Sequence, residues 1–84
     1  MKPTRYFEEQ VLRKRPYIQR EWSLDVLAAP IQREVQEDGR IQQWGKVEIP
    51  DVPQPKFLRV VTLDDGETVH NAFFDRNFRV EGEP

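Results

Sequence analysis

Lys56-Phe57-Leu58-Arg59-Val60-Val61-Thr62-Leu63 is followed by Asp64-Asp65-Gly66-Glu67 and then by Thr68-Val69-His70-Asn71-Ala72-Phe73-Phe74. The first run is β-branched and apolar on both faces of a pleat, the pattern of a strand with neighbours on either side. The acidic tetrapeptide with its glycine is turn chemistry, so the second run returns as an antiparallel partner. Upstream, Pro50-Asp51-Val52-Pro53-Gln54-Pro55 holds three prolines in six residues, which denies it ladder bonding and predicts a loop over 50–55. Before that loop the pattern has period two: Ile31, Arg33 and Val35, a turn at Glu37-Asp38-Gly39, then Arg40 to Trp44. This reads as a second hairpin, with Gly45 as a bulge or strand end. Asp75 to Arg79 forms a short terminal segment, and the acidic tail beyond it is expected to fray.

The N-terminal third changes period. Thr4 is placed to cap a helix running to about Lys14, with Glu8 and Glu9 near its start, Arg13, Lys14 and Arg15 near its end, and Pro16 stopping it. Phe7, Val11 and Leu12 make a narrow apolar stripe that needs a surface to dock on. Ile18, Trp22 and Val26 recur at four-residue spacing, with Leu27 and Ala29 widening that face, so a second helix is expected from Tyr17 to Ala29. Pro30 ends it. Ser23 is an alternative cap for a shorter helix from Leu24. The expected architecture is therefore α+β, two N-terminal helices packed on a four-stranded antiparallel sheet in the order ααββββ.

Eighty-four residues have room for one domain, spanning 1–84 with a folded core over about 4–79. Apolar residues make up 37% and charged residues 33%, a globular mixture. Without cysteine there is no disulfide, thiolate metal site or cysteine nucleophile, and packing must supply the stability. No apolar run approaches the roughly 18 residues of a membrane span, and Met1 to Arg5 leads into Glu8 and Glu9 instead of a signal core. No membrane association is expected, and the cytoplasm is the expected location. The net charge of −2 hides an asymmetry: residues 1–33 carry seven basic and four acidic side chains, residues 34–84 six and eleven. That balance disfavours an obligate nucleic-acid binder but permits a local basic patch.

His70 is the single histidine, and so the natural candidate for proton transfer near neutral pH; the plainer reading is a half-buried polar strand residue. Counting back through the turn puts Arg59 within a residue or two of His70 in register, so the two could share a face. Arg59 interrupts an apolar strand, and either snorkels to an edge, pairs with an acid or stabilises an anion. Arg76 and Arg79 follow the histidine strand and could hold a phosphodiester while His70 moves a proton, although a solvated surface explains them as simply. Arg13, Lys14 and Arg15 could meet RNA phosphates, or merely complement a helix C-terminus. Trp22 reads as core; Trp44 lies on the opposite pleat face from Ile41 and is open between core and base stacking. Paired carboxylates fall in turns, and no phosphate-cradling glycine loop, histidine metal pair or serine elbow occurs, so neither cofactor nor metal is expected.

Arg13 and Arg15 before Tyr17-Ile18, Val26-Leu27-Ala28-Ala29-Pro30, Asp38-Gly39-Arg40, Leu58-Arg59-Val60-Val61 and Val69-His70-Asn71-Ala72-Phe73 together carry a resemblance. The chain resembles small bacterial proteins of the RelE/ParE-like toxin superfamily, in particular the BrnT-like and related uncharacterised families. The resemblance implies an RNA-cleaving or translation-blocking toxin with an antitoxin partner. Arg59, His70 and Arg76 are then the implied catalytic or phosphate-contacting residues, and Arg13, Lys14, Arg15 and Arg79 the RNA-binding ones. The alternative is a non-catalytic protein-protein interaction module that docks a partner, or a second copy as a dimer, through a free strand edge or the proline-rich loop.

Overall fold

The β4–β5 hairpin that organises the molecule forms as its turn chemistry dictates. In the computed structural model, which describes residues 2–15 and 18–78, β4 (Lys56–Thr62) pairs antiparallel with β5 (Thr68–Phe74). Asp65 closes the turn: its Oδ1 accepts the backbone N–H groups of Glu67 and Thr68, both at 2.8 Å. Gly66 adopts φ +71°, a conformation costly for any residue with a Cβ. The register runs from Leu58↔Phe74 to Val61↔Asn71 and then shifts to Thr62↔Val69, leaving His70 as the extra residue of a β-bulge.

β3 (Ile41–Val47) pairs with the other edge of β4, and β2 (Gln32–Val35) pairs with β3 through a turn whose Gly39 has φ +89°. β4 is flanked on both sides, as its two-faced apolar pattern predicts. The four antiparallel strands extend by a two-residue strand not legible in the sequence: β1 (Lys2–Pro3) runs parallel to β5, giving the order β1-β5-β4-β3-β2. The α+β architecture expected from the pattern is the one observed, with both helical elements ahead of the antiparallel sheet in the chain.

The first helix starts where Thr4 predicts, its Oγ1 accepting the Phe7 N–H at 3.0 Å. It is not a plain α-helix. Phe7–Val11 forms a π turn, with the Leu12 N–H reaching back to the Phe7 carbonyl, before one α turn, α1 (Leu12–Lys14). This puts both Phe7 and Val11 in the core. The second helix, α2 (Arg20–Ala28), begins later than the apolar spacing suggests. Gln19 precedes it in an extended conformation, and Tyr17 and Pro16 lie outside the described residues. Ser23 is not its cap but a fully buried residue inside it.

Gly45 corrects another expectation. It is neither bulge nor strand end but sits within β3, where a Cβ would lie 2.7 Å from Val26 Cγ2. Its missing side chain is what lets α2 settle onto the sheet. The helical layer covers β3, β4 and β5, so the core gathers Phe7, Val11, Ile18, Val26, Val47, Leu58, Val60, Val69 and Ala72. β2 lies beyond this cover. Along it Val35 is 65% exposed. No helix is long and apolar enough to cross a membrane among the described residues.

Candidate functional site

The opposite face of the sheet is closed by side chains and by the segment after β5. Trp44↔Arg59↔Phe73 form one row across β3, β4 and β5. The Arg59 guanidinium carbon lies 5.2 Å from the Trp44 ring centroid and 4.8 Å from that of Phe73, within cation–π range. Arg59 donates through Nε, at 3.1 Å, and through Nη2 to Asp75 Oδ2, which also accepts the Trp44 indole N–H at 3.0 Å. Asp75 Oδ1 takes the Asn77 N–H, and the Asp75 N–H goes to the Phe57 carbonyl. Phe78 then stacks on Trp44, 5.2 Å between centroids, and packs on Phe57.

Of the alternatives for Arg59, it is pairing with an acid that the structure contains. Partial burial acts to raise the Asp75 pKa, but the hydrogen bonds from Trp44, Arg59 and the Asn77 backbone, with the Arg59 charge, outweigh it. Its carboxyl therefore titrates below the ordinary aspartate value. Trp44 is core on this face, its indole satisfied by the same carboxylate.

His70 lies elsewhere. The ladder sets Phe73, not His70, opposite Arg59, so the two are three positions apart along the hairpin instead of one or two. Three strand residues span about 10 Å. The bulge turns His70 to Tyr6 at the start of the π turn, and their rings stack at 4.8 Å with an interplanar angle of 19°.

The end of the sheet nearest the proline loop holds the charge. Arg15, Lys56 and Arg76 line one open cleft of about 440 Å³, together with Ile49, Phe73 and Phe74. Each cation arrives by a different route. Arg15 caps the C-terminal end of α1, where its N–H bonds the Val11 carbonyl and its carbonyl accepts the Ile18 N–H. Lys56 opens β4 directly after Pro55. Arg76 follows Asp75, whose bonds to Arg59, Trp44 and Phe57 hold that stretch of backbone in place. Lys56 and Arg76 both lie just past Leu58↔Phe74, the last registered pair at this end of the hairpin. Three positive charges bordered by phenylalanine rings make a surface for a phosphate-bearing ligand with flat apolar groups.

The structure thus joins two of the sequence candidates, Arg15 and Arg76, and separates them from His70. Arg59 serves the clasp with Asp75. Arg13 and Lys14 are exposed on α1 and do not line the cleft. Arg79 lies outside the described residues. Sequence reasoning missed Lys56 and the wall formed by Ile49, Phe73 and Phe74. Counting from the turn would set Lys56 opposite Asp75, because the bulge at His70 that shifts the register has no signal in the sequence. Comparison with known protein families, with curated proteins and with solved structures gives no match to this chain.

Proposed function

We propose that the protein binds RNA through the Arg15–Lys56–Arg76 cleft, and that it acts by occupying RNA in a toxin-like role and not by cleaving it through His70. The observation that carries this reading is the convergence of three cations from separate stretches of chain on one phenylalanine-lined cleft, in a protein whose net charge is −2. A cluster of this kind supplies local attraction for phosphate where the whole surface supplies none. The separation of His70 from the cleft supports binding over catalysis, since a general acid or base must come within hydrogen-bond reach of the atom it serves.

The test is fluorescence anisotropy with a labelled single-stranded RNA across a KCl series, using wild type and Lys56→Gln, Arg76→Gln and Arg15→Gln. Three phosphate contacts give a log–log salt slope of about −2, and each substitution flattens it by about 0.7. Salt-independent binding, or variants that bind as wild type does, would refute the reading. Induced expression with growth and bulk RNA integrity as readouts then separates occupancy from cleavage.

A second reading, a docking edge for an antitoxin-like protein partner, draws on the uncovered β2 strand. Ile31 is 47% and Val35 65% exposed beside a strand edge that pairs with no other strand among the described residues, a surface suited to β-augmentation. Size-exclusion chromatography of Val35→Lys against wild type, alone and with a co-expressed partner, reports whether that edge is used.

A further inference from the structure

The cationic cleft does not end at Phe74. Beside it lies a hollow of about 250 Å³ that shares Lys56, Phe74 and Arg76 with the cleft. Next to that lies a third, of about 420 Å³, in the proline loop, sharing Pro55 with the second and Ile49 with the cleft itself. The three hollows share lining residues and lie close together at one end of the sheet.

The lining differs from one hollow to the next. The loop hollow is walled by Ile49, Pro50, Val52, Pro53 and Pro55, with Glu48 as its one charged residue among those described. Its volume falls within the range of small-molecule pockets, roughly 300–1,000 Å³. The prolines fix φ along the loop, the Val52 N–H closes a turn onto the Ile49 carbonyl at 3.1 Å, and Asp51 sits at φ +67° between them. The prolines and this turn narrow the conformations open to the loop, which lowers the ordering cost of binding. The hollow's lining holds no cation among the described residues, and its proline and aliphatic side chains suit a flat, largely apolar group better than a phosphate.

We propose that the loop hollow receives an unstacked nucleobase of a single strand whose phosphates lie against Lys56 and Arg76. The inference rests on the RNA-binding reading above and adds to it the form of the ligand. A duplex keeps its bases paired and stacked, and bringing one into the hollow requires flipping it out of the helix. A single strand presents its bases without that cost, so the protein discriminates strands from duplexes through the proline loop and not through its cations.

The experiment measures anisotropy at one fixed salt concentration with four probes: a single-stranded RNA 12-mer, its duplex, an abasic 12-mer with the same phosphates, and inorganic polyphosphate as competitor. Wild type is expected to bind the single strand roughly tenfold more tightly than the duplex or abasic strand. Val52→Asn, a neutral change at a residue 37% exposed, is expected to bring single-strand binding down toward the abasic level and to leave polyphosphate competition unchanged, with its thermal midpoint confirming the fold. Equal binding of the abasic and intact strands, or a Val52→Asn protein that still prefers the intact strand tenfold, overturns the base-pocket inference while the cationic cleft stands. No binding of any probe overturns both. Binding of polyphosphate with no preference for RNA leaves a general anion site and removes the nucleobase.

Discussion

Gly45→Ala is the substitution whose consequence follows most directly from the packing. The added Cβ meets Val26 Cγ2 at 2.7 Å and the Val26 Cα and Cβ at 3.2 Å. Real Cβ atoms keep a greater distance from a methyl carbon, so α2 must lift, β3 must bend or Val26 must change rotamer. The backbone contact matters, because rotating Val26 relieves the first clash and not the second. Overpacking of this kind costs roughly 1–3 kcal/mol. Because the clash includes the Val26 backbone, the upper part of that range, about 2–3 kcal/mol, applies; replacing glycine inside a strand returns about 0.5–1 kcal/mol through the unfolded chain, so a net loss of about 1–2.5 kcal/mol is expected. In a domain of this size that lowers Tm by roughly 4–20 °C.

Val26→Ala alone is destabilising, since it removes two buried methyls at about 0.8 kcal/mol each and leaves a void. In the double variant the methyl introduced by Gly45→Ala partly occupies the space that Val26 vacates. The double-mutant cycle is therefore expected to show at least about 0.5 kcal/mol of favourable coupling. Urea unfolding of the four proteins, followed by tryptophan fluorescence, measures it. A neutral Gly45→Ala, or strictly additive losses, would falsify the claim that close approach of α2 is the reason for glycine at this position.

Asp75→Asn removes the charge that Arg59 and Trp44 share, and a cost of about 1–3 kcal/mol at neutral pH is expected. Because the folded carboxyl titrates below the ordinary value, its contribution is complete above about pH 3.9 and is lost as pH falls through the lower folded value. Denaturant curves should show the wild-type advantage over Asp75→Asn shrinking in acid below about pH 4, and an advantage that does not change with pH would contradict the clasp. Thr62→Val removes a fully buried hydroxyl with no hydrogen-bond partner among the described residues, so it should be neutral or raise stability by up to about 1 kcal/mol in thermal unfolding; a loss of more than that would point to a partner for the hydroxyl. His70→Ala should cost about 0.5–1.5 kcal/mol through the lost Tyr6 stack and leave RNA affinity within about twofold, and a collapse of binding would return His70 to the site.

Local chemistry wrote much of this fold into the sequence. The turns at Gly39 and Gly66, the proline loop, the Thr4 cap and the two-faced apolar strand β4 each depend on residues close together in the chain, so each was legible. The pairing of Arg59 with an acid was legible as one of three alternatives, because a cation in an apolar strand needs some compensation. What tertiary structure decided is what depends on distant segments. The bulge at His70 and the pairing beyond it set which residues face each other, and a single inserted residue changes every facing relation on one side of it. The π turn, the closeness of Gly45 to Val26 and the exposure of β2 follow from where the helices come to rest. The cleft is the clearest case: Arg15, Lys56 and Arg76 are ordinary surface cations in the chain, and they share a cleft only because a helix end, a strand start and a segment past the last strand arrive at the same end of one sheet.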